Sequence, residues 1–188
     1  MRLATTSFTV IVFSAATASA QTITPSQTRL IGCFGEAFTL VEHVWRIAPA
    51  HLTTLAAEAK DARSDARKAF LDGFVSGAVA ADQEAAMAVA RNLDGCLDAA
   101  LQNADRDQTT AILAASVRIE LDSAIDDVGD YVAAVRRNEA ALRTALRTPA
   151  ADARGSSLDV YLTFGDRMRE RLKDLRRKVE SVVAAATP

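Results

Sequence analysis

The stretch Phe70-Leu71-Asp72-Gly73-Phe74-Val75-Ser76-Gly77-Ala78-Val79-Ala80-Ala81-Asp82 decides the fold, because a helical chain either runs straight through it or doubles back inside it. Upstream, from about Ala50, the apolar residues Leu52, Leu55, Ala59, Ala62, Ala66, Phe70 and Phe74 recur at steps of three and four. Downstream, Ala86, Val89, Leu93, Cys96, Leu97 and Leu101 do the same. Both spacings are those of one helical face. Gly73 and Gly77 stand four apart. In a membrane that spacing pairs helices, whereas in a charged chain it marks close packing or a helix end. Asp82 suits the N-cap of a helix that starts afresh.

The two cysteines choose between the routes. Cys33 falls on a first helix that Thr24 caps, Pro25 opens and Pro49 stops, with the stripe Leu30, Phe34, Ala37, Phe38, Val41, Val44 and Trp45. A straight helix from Ala50 to Gln102 would put Cys96 about 69 Å from the turn at Pro49, against about 21 Å for Cys33. A break in the polar patch Asp61 to Asp65 would carry Cys96 about 33 Å beyond the top of the bundle. A reversal between Gly77 and Asp82 returns Cys96 to about 19 Å, level with Cys33. The expectation is therefore three antiparallel helices, the first and third joined by a Cys33–Cys96 disulfide. Two buried thiols or a metal pair are the other readings of an even cysteine count.

Beyond a polar turn at Asn103 to Asp107, Leu113, Val117, Leu121, Ile125, Val128, Val132, Val135, Leu142 and Leu146 keep helical spacing up to Pro149. That helix of about 60 Å is longer than its expected partners, so it overhangs the bundle or breaks near Gly129 or Asn138. Residues 149–157 form a linker, and Ser156-Ser157-Leu158-Asp159 signals the start of a last helix carrying Leu158, Leu162, Met168, Leu172, Leu175, Val179 and Val182. The fold class is an all-α antiparallel bundle of about five helices in a single domain, 21–188.

Ahead of that domain, residues 1–20 read as a cleaved export signal. Arg2 is the positive end, Phe8 to Phe13 the apolar stretch, and Ala18-Ser19-Ala20 the small residues before Gln21. Repeated Thr and Ser leave the segment short of the roughly 20 apolar residues that a span requires. Arginine outnumbers lysine by 18 to 4, a bias associated with high-GC bacterial coding. With the signal it suggests a periplasmic or secreted protein in a compartment where thiols oxidise. The chain has 188 residues, 49% of them hydrophobic, 24% charged and 5% aromatic, with a net charge of −2. That balance fits a globular domain and offers no basic surface for nucleic acid.

The chemistry-bearing motifs are missing. His43 and His51 follow Leu40 and Ala48 at three residues, so neither completes the Glu-x-x-His pair of a di-iron bundle. With Glu42 they make a weak metal pattern, better read as incidental histidines, and the sequence assigns no cofactor and no metal. There is no C-x-x-C, no G-x-S-x-G and no phosphate-cradling glycine loop, so no catalytic residue is assigned. Two groups of residues are candidates for binding. Phe34, Phe38, Trp45, Phe70 and Phe74 could nucleate the packing or line an apolar pocket between helices. Arg169, Lys173, Arg176, Arg177 and Lys178 form a basic face on the last helix that could meet Asp122, Asp126 and Asp130 within the bundle, or an acidic partner or lipid surface outside it. By elimination, the expected function is protein–protein contact in the bacterial envelope by an exported, non-enzymatic bundle, as a binding, assembly or stress-protective component. A carrier of a small apolar ligand and a subunit of an export or surface apparatus are the alternatives.

Overall fold

The computed structural model describes residues 22–44, 48–61, 63–145 and 157–187, without the side chains of Ala145 and 157–162. The expected signal, Trp45 and all but the last residue of the expected linker lie outside these. The described chain is all-α and packed as a bundle: α1 Pro25–Glu42, α2 Ala48–Asp61, α3 Asp65–Phe74, a π-helical turn Val75–Val79, α4 Ala80–Gln102, α5 Gln108–Ala145 and α6 Ser157–Ala186.

The chain does not reverse at Gly77, which corrects the expected route. Val75, Val79 and Ala80 all keep right-handed helical backbone angles, so α3, the π-helical turn and α4 form one uninterrupted run. Asp82 therefore lies inside a helix and caps nothing. The reversal falls at the polar patch instead. Ser64 takes an extended conformation (φ −99°, ψ 151°) and its hydroxyl accepts from the Arg67 N–H. Lys60 closes the last turn of α2 and Asp65 opens the first turn of α3, each with the charge that the helix dipole favours.

The error lay at Pro49. This residue occupies the second position of α2, where a missing N–H costs nothing, so it begins a helix without turning the chain back. α1 and α2 do not lie side by side; both pack along α5, and α1 also packs on α4. Together they form one arm of a long hairpin whose other arm runs from Asp65 to Gln102. Cys33 and Cys96 are then equally far along the chain from the Ser64–Asp65 step, as are Thr24 and Asp105. Each pair meets: the sulfurs bond at 2.03 Å with Cα atoms 5.6 Å apart, and the Thr24 hydroxyl donates to Asp105 at 2.7 Å. The disulfide expectation holds, by a different turn.

α5 neither breaks nor overhangs. It is continuous through Gly129 and Asn138 over 38 residues, matching the length of the Asp65–Gln102 arm. The Asn138 amide satisfies itself on the Ala134 carbonyl at 2.8 Å. α4 and α5 stand across the bundle from one another, while α5 packs on α1, α2 and α6, and α6 on α4. Gln27 beside Asp107 makes α1 and α5 parallel neighbours. Arg176–Asp122 and Arg136–Asp166 make α5 and α6 antiparallel.

Inward-facing residues follow the alternating three–four step of a bundle seam: Leu30, Cys33, Ala37, Leu40 and Val44 on α1, Leu93 and Leu97 on α4, Val117, Leu121 and Val128 on α5, and Met168, Leu172, Leu175, Val179 and Val182 on α6. Alanines 86, 90, 100, 114 and 124 complete it. Phe34, Phe38 and Phe70 do not nucleate this core; they are 36%, 51% and 55% exposed. One-sided stripes rich in leucine, valine and alanine bury enough surface to hold the bundle, leaving Phe34, Phe38 and Phe70 outside while Phe164 is buried.

Candidate functional site

Three features of the surface and interior follow from this topology. The first is an outer face on α1 and the first half of α5. On α1, Ile31, Phe34 and Phe38 project at steps of three and four, and Ile31 is 48% exposed. Thr28, Gly32, Gly35 and Thr39 lie among them at the surface. An alanine methyl at Gly32 or Gly35 would meet nothing within 4 Å, so the two glycines leave open notches beside large apolar groups. The parallel register sets Ile31 and Phe38 level with Ile112 and Ile119 on α5, which are 58% and 62% exposed. Ser116 and Ser123 share that side of α5. Thr39 and Ser116 turn their hydroxyls back onto the Gly35 and Ile112 carbonyls at 2.9 and 3.1 Å. Both rows are free of charged side chains in a chain that is 24% charged.

The sequence placed Phe34, Phe38, Phe70 and Phe74 in one group, and the fold separates them. Phe70 and Phe74 stack near the hairpin tip with ring centroids 6.3 Å apart. Phe34 and Phe38 lie roughly 30 Å away along the bundle. Trp45 is outside the described residues.

The basic residues of α6 form the second feature, and most are engaged within the chain. Arg176 pairs with Asp122 of α5 at 2.5 Å and with Glu180 at 2.8 Å. Lys178 reaches Asp94 and Asp98 of α4 at 2.5 and 2.7 Å, and Arg171 reaches Asp94 at 2.9 Å. Lys173 pairs with Glu170, and Arg177 with Asp174. Arg169 is exposed beside Glu170. The Lys178 hydrogen bond is the main cause holding the Asp94 carboxyl below its ordinary range, with burial opposing and Arg171 assisting. Burial pushes the Lys178 ammonium down, but its bonds to Asp94 and Asp98 outweigh that and keep it raised. Of the acidic run, Asp122 meets the basic face. Asp127 does not, and burial, with Asp130 and Asp126 nearby, pushes its carboxyl above the ordinary range.

The third feature is a polar cluster that sequence reading missed. His43, His51, Asp82, Gln83 and Tyr131 line a cavity of about 10 Å³ with Ala48, Val79, Ala86 and Phe164. The imidazole Nδ1 atoms of His43 and His51 each stand 3.7 Å from a different oxygen of Asp82. The Gln83 amide nitrogen is buried there without a hydrogen-bond partner. The signal was available in the hairpin symmetry: reflecting His43 and His51 about the step that pairs the cysteines brackets Asp82. Among the described residues, no group of three or more His, Cys, Asp or Glu side chains is placed to hold a metal ion, and no helix is long and apolar enough to cross a membrane.

Comparison of the chain with protein-family models, curated proteins and solved structures finds no match.

Proposed function

We propose that this protein is an exported contact module, carrying its function on the outer face of α1 and α5, which binds an apolar helix of a protein partner in the envelope. The observation that carries this reading is the charge-free row Ile31, Gly32, Phe34, Gly35 and Phe38 beside Ile112 and Ile119, with large apolar groups one-third or more exposed. Interface centres are depleted in charge and enriched in aromatic residues, and contiguous exposed apolar surface on a soluble chain marks a binding site. Glycine inside a helix costs about 1 kcal/mol relative to alanine. Gly32 and Gly35 fill no close approach within the chain, and such notches suit a second helix lying against α1, its side chains seated between Ile31, Phe34 and Phe38. The back-bonded Thr39 and Ser116 present methyl and methylene groups to that partner.

The basic face of α6 is a second surface for contact, but a partner there must compete with Asp94, Asp98 and Asp122. Site-specific photocrosslinking in the native envelope tests the choice. A photoreactive residue at Phe38 should give a discrete adduct that Ile119→Glu abolishes, and one at Arg177 should give none. Adducts from Arg177 but not Phe38 would overturn the assignment.

A further inference from the structure

We propose that His43, Asp82 and His51 form a proton-operated latch across the π-helical turn Val75–Val79, locking the outer end of the hairpin when the imidazoles are protonated. Both arms of the hairpin depart from regular α-helical hydrogen bonding near the cluster: π-helical bonding occurs at His43–Val44 on one and at Val75–Val79 on the other, roughly 13 Å apart along the bundle. Such turns are rare and are found frequently at functional sites. His51 straddles the second. Its ring meets Phe74, the residue just before the turn, edge-on at 5.4 Å, and its Nδ1 faces Asp82, three residues after the turn, at 3.7 Å. His43 holds the other carboxylate oxygen at the same distance.

The latch is incomplete without protons. At 3.7 Å, neither imidazole is in hydrogen-bond range of Asp82, and the His43 Nδ1 is buried with no hydrogen-bond partner. A neutral imidazole presents either a lone pair or an uncharged N–H at Nδ1. Protonation guarantees the N–H whichever tautomer precedes it and adds the charge that makes the contact with the carboxylate charge-assisted. All three side chains are three-quarters or more buried, so water screens the contacts poorly. Among the described residues that line the cavity, none besides the two imidazoles is a potential cation. α5 presents Tyr131, with Asp127, Asp130 and Arg137 in the groove behind it. α6 presents Phe164, with Arg167 in the groove between α4 and α6, where Glu84 and Arg91 also lie. Glu42 precedes His43 on its own helix. Stabilisation from the latch is present while the imidazoles carry the extra protons and is lost when rising pH removes them. The consequence is local: the α2–α3 tip, with the exposed Phe70, opens about the π-helical turn less readily in mild acid than at neutral pH.

The sequence contains only two histidines, both in this site, so changes between pH 8 and pH 5.5 report chiefly on it. The test is hydrogen exchange of the full chain, corrected for intrinsic rates, at those two pH values. Protection of amides 75–83 should rise about tenfold on acidification, the factor expected of one charge-assisted bond. The rise should vanish in Asp82→Asn and persist in Asp127→Asn, the nearby carboxylate whose titration is shifted upward. His43→Gln with His51→Gln is the second arm should Asp82→Asn fail to fold, and it should also abolish the rise. Protection that is unchanged or lower in acid, or a rise that survives loss of both histidines, would overturn the latch.

Discussion

Gly165→Ala is the substitution on which the packing is most exposed to test, because the usual effect of the change is reversed there. Gly165 lies where α6 presses on α5. A methyl group built at this position would sit 2.6 Å from Val132 Cγ2 and 3.2 and 3.3 Å from Tyr131 Cδ1 and Cε1. Carbon atoms rest at about 3.5–4.0 Å, so the two helices must separate or Val132 must leave its rotamer. Overpacking of this kind costs ~1–3 kcal/mol. The helical preference for alanine over glycine returns about 1 kcal/mol. The expected net effect is therefore a loss of up to ~2 kcal/mol where alanine ordinarily stabilises, read from urea unfolding at pH 7. Gly95→Ala is the control: its methyl meets nothing within 4 Å, and a gain of about 0.5–1 kcal/mol is expected. Val132→Ala removes the clashing methyls, so in that background Gly165→Ala should become neutral or stabilising, a coupling of ~1 kcal/mol or more. Equal stabilisation by the two glycine replacements would refute the close approach of α5 and α6.

Three further outcomes follow from the structure. Replacing Cys33 and Cys96 by serine opens a loop whose ends are 63 residues apart, which should cost ~2–4 kcal/mol; an unaltered melting curve contradicts a structural role for the bond. Asp94 has a depressed carboxyl in the folded state, so its contribution is complete above the unfolded carboxylate range and disappears as pH falls through the folded value. Acid unfolding of Asp94→Asn should therefore be less steep below about pH 4, and an identical acid limb speaks against the Lys178–Asp94 bond. Asp127 is shifted the opposite way, so Asp127→Asn should raise stability at pH 7 by about 0.3 kcal/mol, with the gain fading on acidification; a loss at pH 7 would count against the crowding of charge there.

The helical periodicity was legible residue by residue, since Leu121, Val128, Leu172, Leu175 and Val179 all face inward as their spacing requires. The pairing of the cysteines was legible too, from the expected export signal and the even count. The turn was not. Pro49 and Gly77 are strong punctuation in a sequence, yet a proline at the second position of a helix and an exposed glycine in a π-helical turn both leave the chain running on. Ser64, an ordinary cap in a polar patch, stops it, and its weight shows only once the two arms are paired across it. The aromatic residues misled for a related reason. Phe34 and Phe38 lie one step to the side of the inward row Leu30, Cys33, Ala37 and Leu40, and apolar character alone does not distinguish a core stripe from a contact stripe beside it. The His43–Asp82–His51 cluster depends on the same pairing, and so stayed hidden.

The hairpin about Ser64 is the claim on which the disulfide register, the polar cluster and the level of the contact face all rest. Nitroxide labels at the exposed positions Thr53 and Ser76, read by double electron–electron resonance, test it directly. Neighbouring helices 8–10 Å apart place the two labels at about 15–25 Å in the hairpin. A distance near 35 Å, the rise of a continuous helix between those residues, would show that the chain runs straight through Ser64 and turns elsewhere.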